Sequence, residues 1–188
     1  MPLKLQSFVG SAELLAWGKD NGCPWNEWTC ALAAGGGHLA ALRWAREHGC
    51  EWGSDTCECA AGGGHLAVLV WAREQDCLWG AETCEAAAED GHLAVLQWAR
   101  EHGCPWDVWT CPHAAAGGHL EVLQWARQHN CEWDDRTCAY AAWGGHLEVM
   151  QWARENGAPW DEDYVRESAA DGGHQEKLAG WLAEHGDP

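Results

Sequence analysis

The chain has 188 residues, with 29 acidic against 11 basic side chains, a net charge of -18 and a pI near 4.8. That balance repels phosphate backbones and anionic lipid surfaces, which disfavours nucleic acid and membranes as partners. No run approaches the ~18 apolar residues of a membrane span, and the opening MPLKLQSFVGSAELL holds too short an apolar run for a secretory leader. An intracellular location, cytoplasmic or nuclear, is therefore expected, with the 11 cysteines as free thiols.

A histidine follows glycine at His38, His65, His92, His119, His146 and His174, a spacing of 27 four times and then 28. A fixed period in this range marks stacked repeats, in which each rung contacts only its neighbours. The expected organisation is a single array over 1–188. It has a half-rung and cap over 1–25, five 27-residue repeats over 26–160, and a capping repeat over 161–188.

In chain order, residues 11–21 predict one helix, the second half of a rung preceded by only ten residues. Each later rung opens on a column of N-cap residues, Asn26, Gly53, Gly80, Asp107, Asp134 and Asp161. A short first helix of about eight residues follows, such as WTCALAA or RTCAYAA, closed by a glycine pair like Gly36 and Gly37. The second helix, of roughly ten residues, is amphipathic. In 37–63 it carries Leu39, Ala41, Leu42, Trp44 and Ala45 on one side and Ala40, Arg43 and Glu47 on the other. It stops at a column of Gly22, Gly49, Asp76, Gly103, Asn130 and Gly157, residue types that tolerate the left-handed conformation of a C-terminal cap.

Helices this short cannot bury enough surface alone and must stack. The alanine columns headed by Ala33 and Ala34 stay small so that neighbouring pairs can approach, while the tryptophan columns headed by Trp25 and Trp44 are expected to fill the core. In the last rung Tyr164 and Val165 replace threonine and cysteine, and Gln175 stands where other rungs carry leucine, as a terminal cap requires.

The run TC-x-x-AA-x-GGHLEVLQWARE-x-GCPW resembles the ankyrin repeat, whose pattern TPLH-x-AA-x-x-GHLE-V-V-x-LLLE-x-GAD it follows without a gap from the alanine pair to the glycine after the second helix. His119, Leu120, Glu121, Val122 and Leu123 fall on the matching positions. The repeat is 27 residues long where that family has about 33, with the loss mostly in the segment that forms the family's β-hairpin finger. The resemblance implies an all-α fold, an α-solenoid of stacked helix-turn-helix ankyrin-like repeats with shortened or absent β-hairpin fingers. It also implies that the repeated histidine hydrogen-bonds between loops of neighbouring rungs.

The histidine and cysteine columns invite a metal reading. Rungs about 10 Å apart cannot bring equivalent histidines onto one zinc ion, whose ligands lie within roughly 2.0–2.3 Å. Equivalent cysteines, in the columns headed by Cys23 and Cys30, would likewise exceed the roughly 4.4–6.8 Å between Cα atoms that a disulfide allows. The thiols are expected to pack as small hydrophobes, with no metal and no cofactor. Serines number four and none sits in a nucleophile motif, so no enzyme is expected.

The columns headed by Trp28, Leu32 and Gly35 vary most between rungs. They lie on the first-helix face away from the alanine pair, which in the resembling family is the concave recognition surface. The candidate partner-binding residues are Trp28, Leu32, Asp55, Glu82 and Glu89, followed by Trp109, His113, Arg136, Tyr140 and Trp143. Exposed aromatics with an arginine make a typical protein-binding hot spot. The expected function is a non-enzymatic protein-protein interaction scaffold. It would be a monomer whose negative field speeds encounter with a basic protein partner. A metal- or thiol-handling protein built on the Cys/His columns is the alternative, as is a spacer fragment of a longer repeat protein.

Overall fold

A computed structural model describes residues 9–23 and 25–185. The described residues form 13 α-helices and no strand. The first is α1 (Ala12–Asp20). Five pairs follow: α2 (Glu27–Gly35) with α3 (Leu39–Glu47), α4 (Ser54–Gly62) with α5 (Leu66–Glu74), α6 (Ala81–Glu89) with α7 (Leu93–Glu101), α8 (Thr110–Ala116) with α9 (Leu120–Gln128), and α10 (Asp135–Trp143) with α11 (Leu147–Glu155). The last pair is α12 (Glu162–Asp171) with α13 (Gln175–His185).

The chain divides into two compact units, one of residues 1–87 and 94–105, the other of 88–93 and 106–188. In the first, α2 packs on α4, α2 on α3 and α4 on α5; in the second, α10 packs between α8 and α12, with α8 on α9, α10 on α11 and α12 on α13. First helices thus stack on first helices, which the small alanine columns permit.

The caps are local and fall where the sequence puts them. Asn26, Asp134 and Asp161 accept a backbone N–H from the first turn of α2, α10 and α12. The residue that ends each second helix is left-handed even where it is not glycine, with φ +60° at Asp76 and +63° at Asn130. One helix starts late. Asp107 still accepts the Trp109 N–H at 2.9 Å, but α8 begins only at Thr110. Pro112 has no N–H to offer the carbonyl of Val108, so the first turn cannot close as a helix.

The glycine pair does two jobs, seen at Gly117 and Gly118. A Cβ on Gly117 would collide with the carbonyl of Glu89, and one on Gly118 with the His146 ring; Gly118 also has φ +78°. This closeness lets the histidine reach back one rung. Nε2 of His65 lies 3.1 Å from the carbonyl oxygen of Gly35, which can only accept, so the ring carries its proton there. His146 makes the same bond to the Ala116 carbonyl.

The core differs from expectation in one respect. Its largest fully buried side chains are Leu42, Leu69, Leu96, Leu123, Met150 and Leu178, joined by the alanine pairs, by Val68, Val95, Val122 and Val149, and by the threonine and cysteine of α2, α4, α6, α8 and α10. The tryptophans of the two repeated columns are only half-buried. They form an outer ladder in which Trp52 meets Trp71 edge-on at 5.6 Å and Trp79 meets Trp98 at 5.9 Å. Arginines close the ladder. Arg46, Arg73 and Arg127 each donate to a carbonyl four residues on and lie 4.1–4.3 Å over the ring of Trp52, Trp79 and Trp133. An indole at the edge of an apolar stripe stays half in water when a planar cation, and no further helix, covers it.

Candidate functional site

The cysteine columns meet in pairs that single-column spacing does not reveal. Three first-helix thiols lie beside the thiol that follows the second helix of their own rung, Cys30 beside Cys50, Cys57 beside Cys77 and Cys111 beside Cys131. The second thiol donates to a backbone carbonyl: Cys50 Sγ lies 3.2 Å from the Asn26 carbonyl oxygen and Cys77 Sγ 3.3 Å from that of Gly53. The neighbouring thiol and burial together push Cys30, Cys57 and Cys111 above the ordinary thiol range. Cys138, whose rung has Ala158 in place of the second cysteine, is pushed up to about 12 with burial as the leading cause. The same thiol contact lowers the partner thiols Cys50, Cys77 and Cys104, so burial opposes a thiolate at the first-helix member of each pair. Thiols gather in twos; among the described residues no three His, Cys, Asp or Glu side chains come together as a metal centre would require.

The variable columns behave differently. In the first unit Trp28 is 51% exposed, Leu32 and Asp55 are half-buried, and the Glu82 carboxylate folds over Gly80. Glu58 lies half-buried there, and burial, helped by Asp55 and Glu82, raises its carboxyl above the usual range.

In the second unit the structure brings four of the expected residues onto one open cavity of about 340 Å³. Glu89, Trp143 and, between them in the same column, Ala116 contribute the ends of their helices; His113 and Tyr140 contribute the turn before. The remaining wall comes from α12: Tyr164, Ser168 and Asp171. His113 Nδ1 stands 3.0 Å from a Glu89 oxygen, and its ring centroid 6.3 Å from that of Tyr140. Burial first, and Tyr140 second, push the Tyr164 hydroxyl above its ordinary value, so at neutral pH it is a neutral donor.

Trp109 and Arg136 border this cavity and satisfy each other. The Arg136 guanidinium lies 3.8 Å over the Trp109 ring while Nε donates to Asp134 at 2.8 Å and Nη2 donates to the same oxygen. Trp109 also meets Tyr140, with centroids 6.1 Å apart. Arg136 is therefore engaged by Asp134 of its own rung and Trp109 of the rung before, where the sequence pattern leaves it free to contact a partner.

Helix pairs stacked through alanines, closed by GGH turns and lacking any strand among the described residues, now stand beside a direct comparison. The family model for ankyrin repeats (many copies) matches residues 84–127 and again 111–154. Residues 84–154 carry ankyrin repeats. No curated protein matches the chain. Between the helix pairs the family's finger segment is reduced to the short loop holding the outer tryptophan, and the repeated histidine makes the inter-rung bond expected of it.

Sequence reasoning misses Tyr164, Ser168 and Asp171, because it takes 161–188 of the ankyrin array only as a cap. The signal is present: with the one-residue insertion counted, Ser168 continues the column of His113 and Tyr140, and Asp171 that of Glu89, Ala116 and Trp143.

Proposed function

We propose that the ankyrin repeats act as a non-enzymatic protein-binding scaffold whose recognition surface is the first-helix face, centred on the aromatic cavity of α8, α10 and α12. Ankyrin repeats are protein-interaction modules, and the observation that carries the reading to this place is Trp143. It is a large indole, 50% exposed at the end of α10, in a column that holds glycine or alanine in three other rungs. An exposed aromatic beside a concavity is the commonest anchor of a protein interface. The free, buried cysteines suit a reducing compartment, cytoplasmic or nuclear. No helix among the described residues is long and apolar enough to cross a membrane.

The test is selection of short displayed peptides on the wild-type protein, followed by measurement against a Tyr140→Ala, Trp143→Ala double variant and against Leu78→Ala, an exposed apolar residue of the other unit. Binders are expected to lose at least about 2 kcal/mol on the double variant and nothing on Leu78→Ala. Equal binding to all three proteins would place recognition elsewhere. Trp109 is left intact, because its stack with Arg136 makes it part of the fold as well as of the surface.

A further inference from the structure

We propose that this cavity is a socket for one arginine side chain of a basic partner segment, a specification that rests on the protein-binding reading above. The argument starts from how the molecule treats its other indoles. Trp52, Trp79, Trp133 and Trp160 each have an arginine of the chain itself within 4.1–4.7 Å of the ring centroid, and Trp109 has Arg136 at 3.8 Å. The cavity of the first unit, also about 340 Å³, contains such a resident cation in Arg73. Among the described residues no cation lies over Tyr140, Trp143 or Tyr164, the indole and phenol rings that line the cavity of the second unit beside the His113 imidazole. Aromatic faces attract cations through the ring quadrupole, and here that attraction is unused.

The carboxylates point the same way. Glu89 is the last residue of α6 and Asp171 the last of α12, where the unpaired carbonyls of a helix end already carry partial negative charge. An anion there is unfavourable for the helix. The same column holds glycine in the rungs of Gly35 and Gly62, so nothing in the repeat requires a charge at this place. Both carboxylates nonetheless line this cavity, whose indole and phenol rings lack a cation, and the bond from His113 holds Glu89 against its wall. A cation entering from outside would relieve the helix ends and cover the rings at once.

Arginine fits this arrangement better than lysine. A guanidinium is planar, stacks on indole and phenol faces, and presents its donors as a fork that matches a carboxylate. A lysine ammonium is a compact, strongly hydrated point charge, and it would surrender water without gaining the stack. The net charge of -18 adds long-range attraction for a basic segment but cannot by itself choose the residue.

The experiment uses the displayed peptides whose binding depends on Tyr140 and Trp143. They are expected to share an arginine. Replacing that arginine by citrulline, its neutral isostere, should weaken binding at least about tenfold, and lysine should recover only part of the loss. Asp171→Asn in the protein should weaken the arginine peptide and leave the citrulline peptide unchanged, which ties the charge to this wall; its melting temperature should equal or exceed that of the wild type. Cavity-dependent peptides without a common arginine would overturn the proposal and leave the protein-binding reading standing. So would citrulline or lysine peptides that bind as tightly as the arginine peptide. Peptides indifferent to Tyr140 and Trp143 would overturn both.

Discussion

Leu96 and Trp98 sit two residues apart on α7 and illustrate how burial, more than size, sets what a side chain contributes. Leu96 has no exposed surface, and truncation would leave a cavity among the alanines, so Leu96→Ala should cost roughly 2–5 kcal/mol. Trp98 is half-buried. Its replacement removes an edge contact to Trp79 at 5.9 Å and a stack on His102 at 4.2 Å, while much of the indole was in water already. Trp98→Ala should cost about 1–3 kcal/mol, the smaller loss of the two, in urea unfolding monitored by circular dichroism. A larger loss at Trp98 would return the tryptophans to the core, where the sequence pattern places them.

At the scale of the element, the repeat depends on two kinds of glycine that a single substitution separates. Gly103 ends α7 with φ +82° and has nothing within 4 Å of where a Cβ would stand. Gly103→Ala should therefore cost only the left-handed conformation, about 1–2 kcal/mol. Gly117 has φ -75°, which alanine adopts freely, yet its Cβ would fall on the Glu89 carbonyl. Gly117→Ala must push two backbones apart and should cost more than Gly103→Ala in the same thermal or urea measurement. The reverse order would mean that stacking tolerates a wider rung spacing than the glycine turn suggests.

At the scale of the whole molecule, charge dominates. A chain of net charge -18 repels itself when folded, so moderate salt should raise its melting temperature. One group makes the effect specific. The Glu58 carboxyl is raised by burial first and by Asp55 and Glu82 next, so its folded value lies above its unfolded one. The sign follows: folding disfavours its ionised form, the penalty is fully present above the folded value, and it fades as pH falls to the ordinary glutamate value of about 4.3. Glu58→Gln should thus melt higher than the wild type at pH 7, with the advantage shrinking toward pH ~4. A constant advantage at every pH would assign it to packing instead.

Most of the architecture was legible from one rung read against the next, because its determinants are local. N-caps, the left-handed stop at Asp76 and Asn130, and the alternation of two short helices depend on residues within one or two turns of each other. Column comparison extended this to the small stacking face and to four of the residues that line the cavity, Glu89, His113, Tyr140 and Trp143. Depth was not legible. A period assigns Trp44 to the apolar side of its helix but cannot say whether another element covers it; here it meets the loop indole of Trp25 and the ring of His48 and stays half in water. The thiol pairs escaped for a related reason: Cys30 and Cys50 belong to different columns and meet only because the second helix folds back on the first. The cavity was completed by α12, whose extra residue shifts Ser168 and Asp171 out of the 27-residue register while the packing of α10 on α12 still brings them to the same wall. A repeat period specifies which residues are equivalent; the contacts between stacked helices decide which of them share a site.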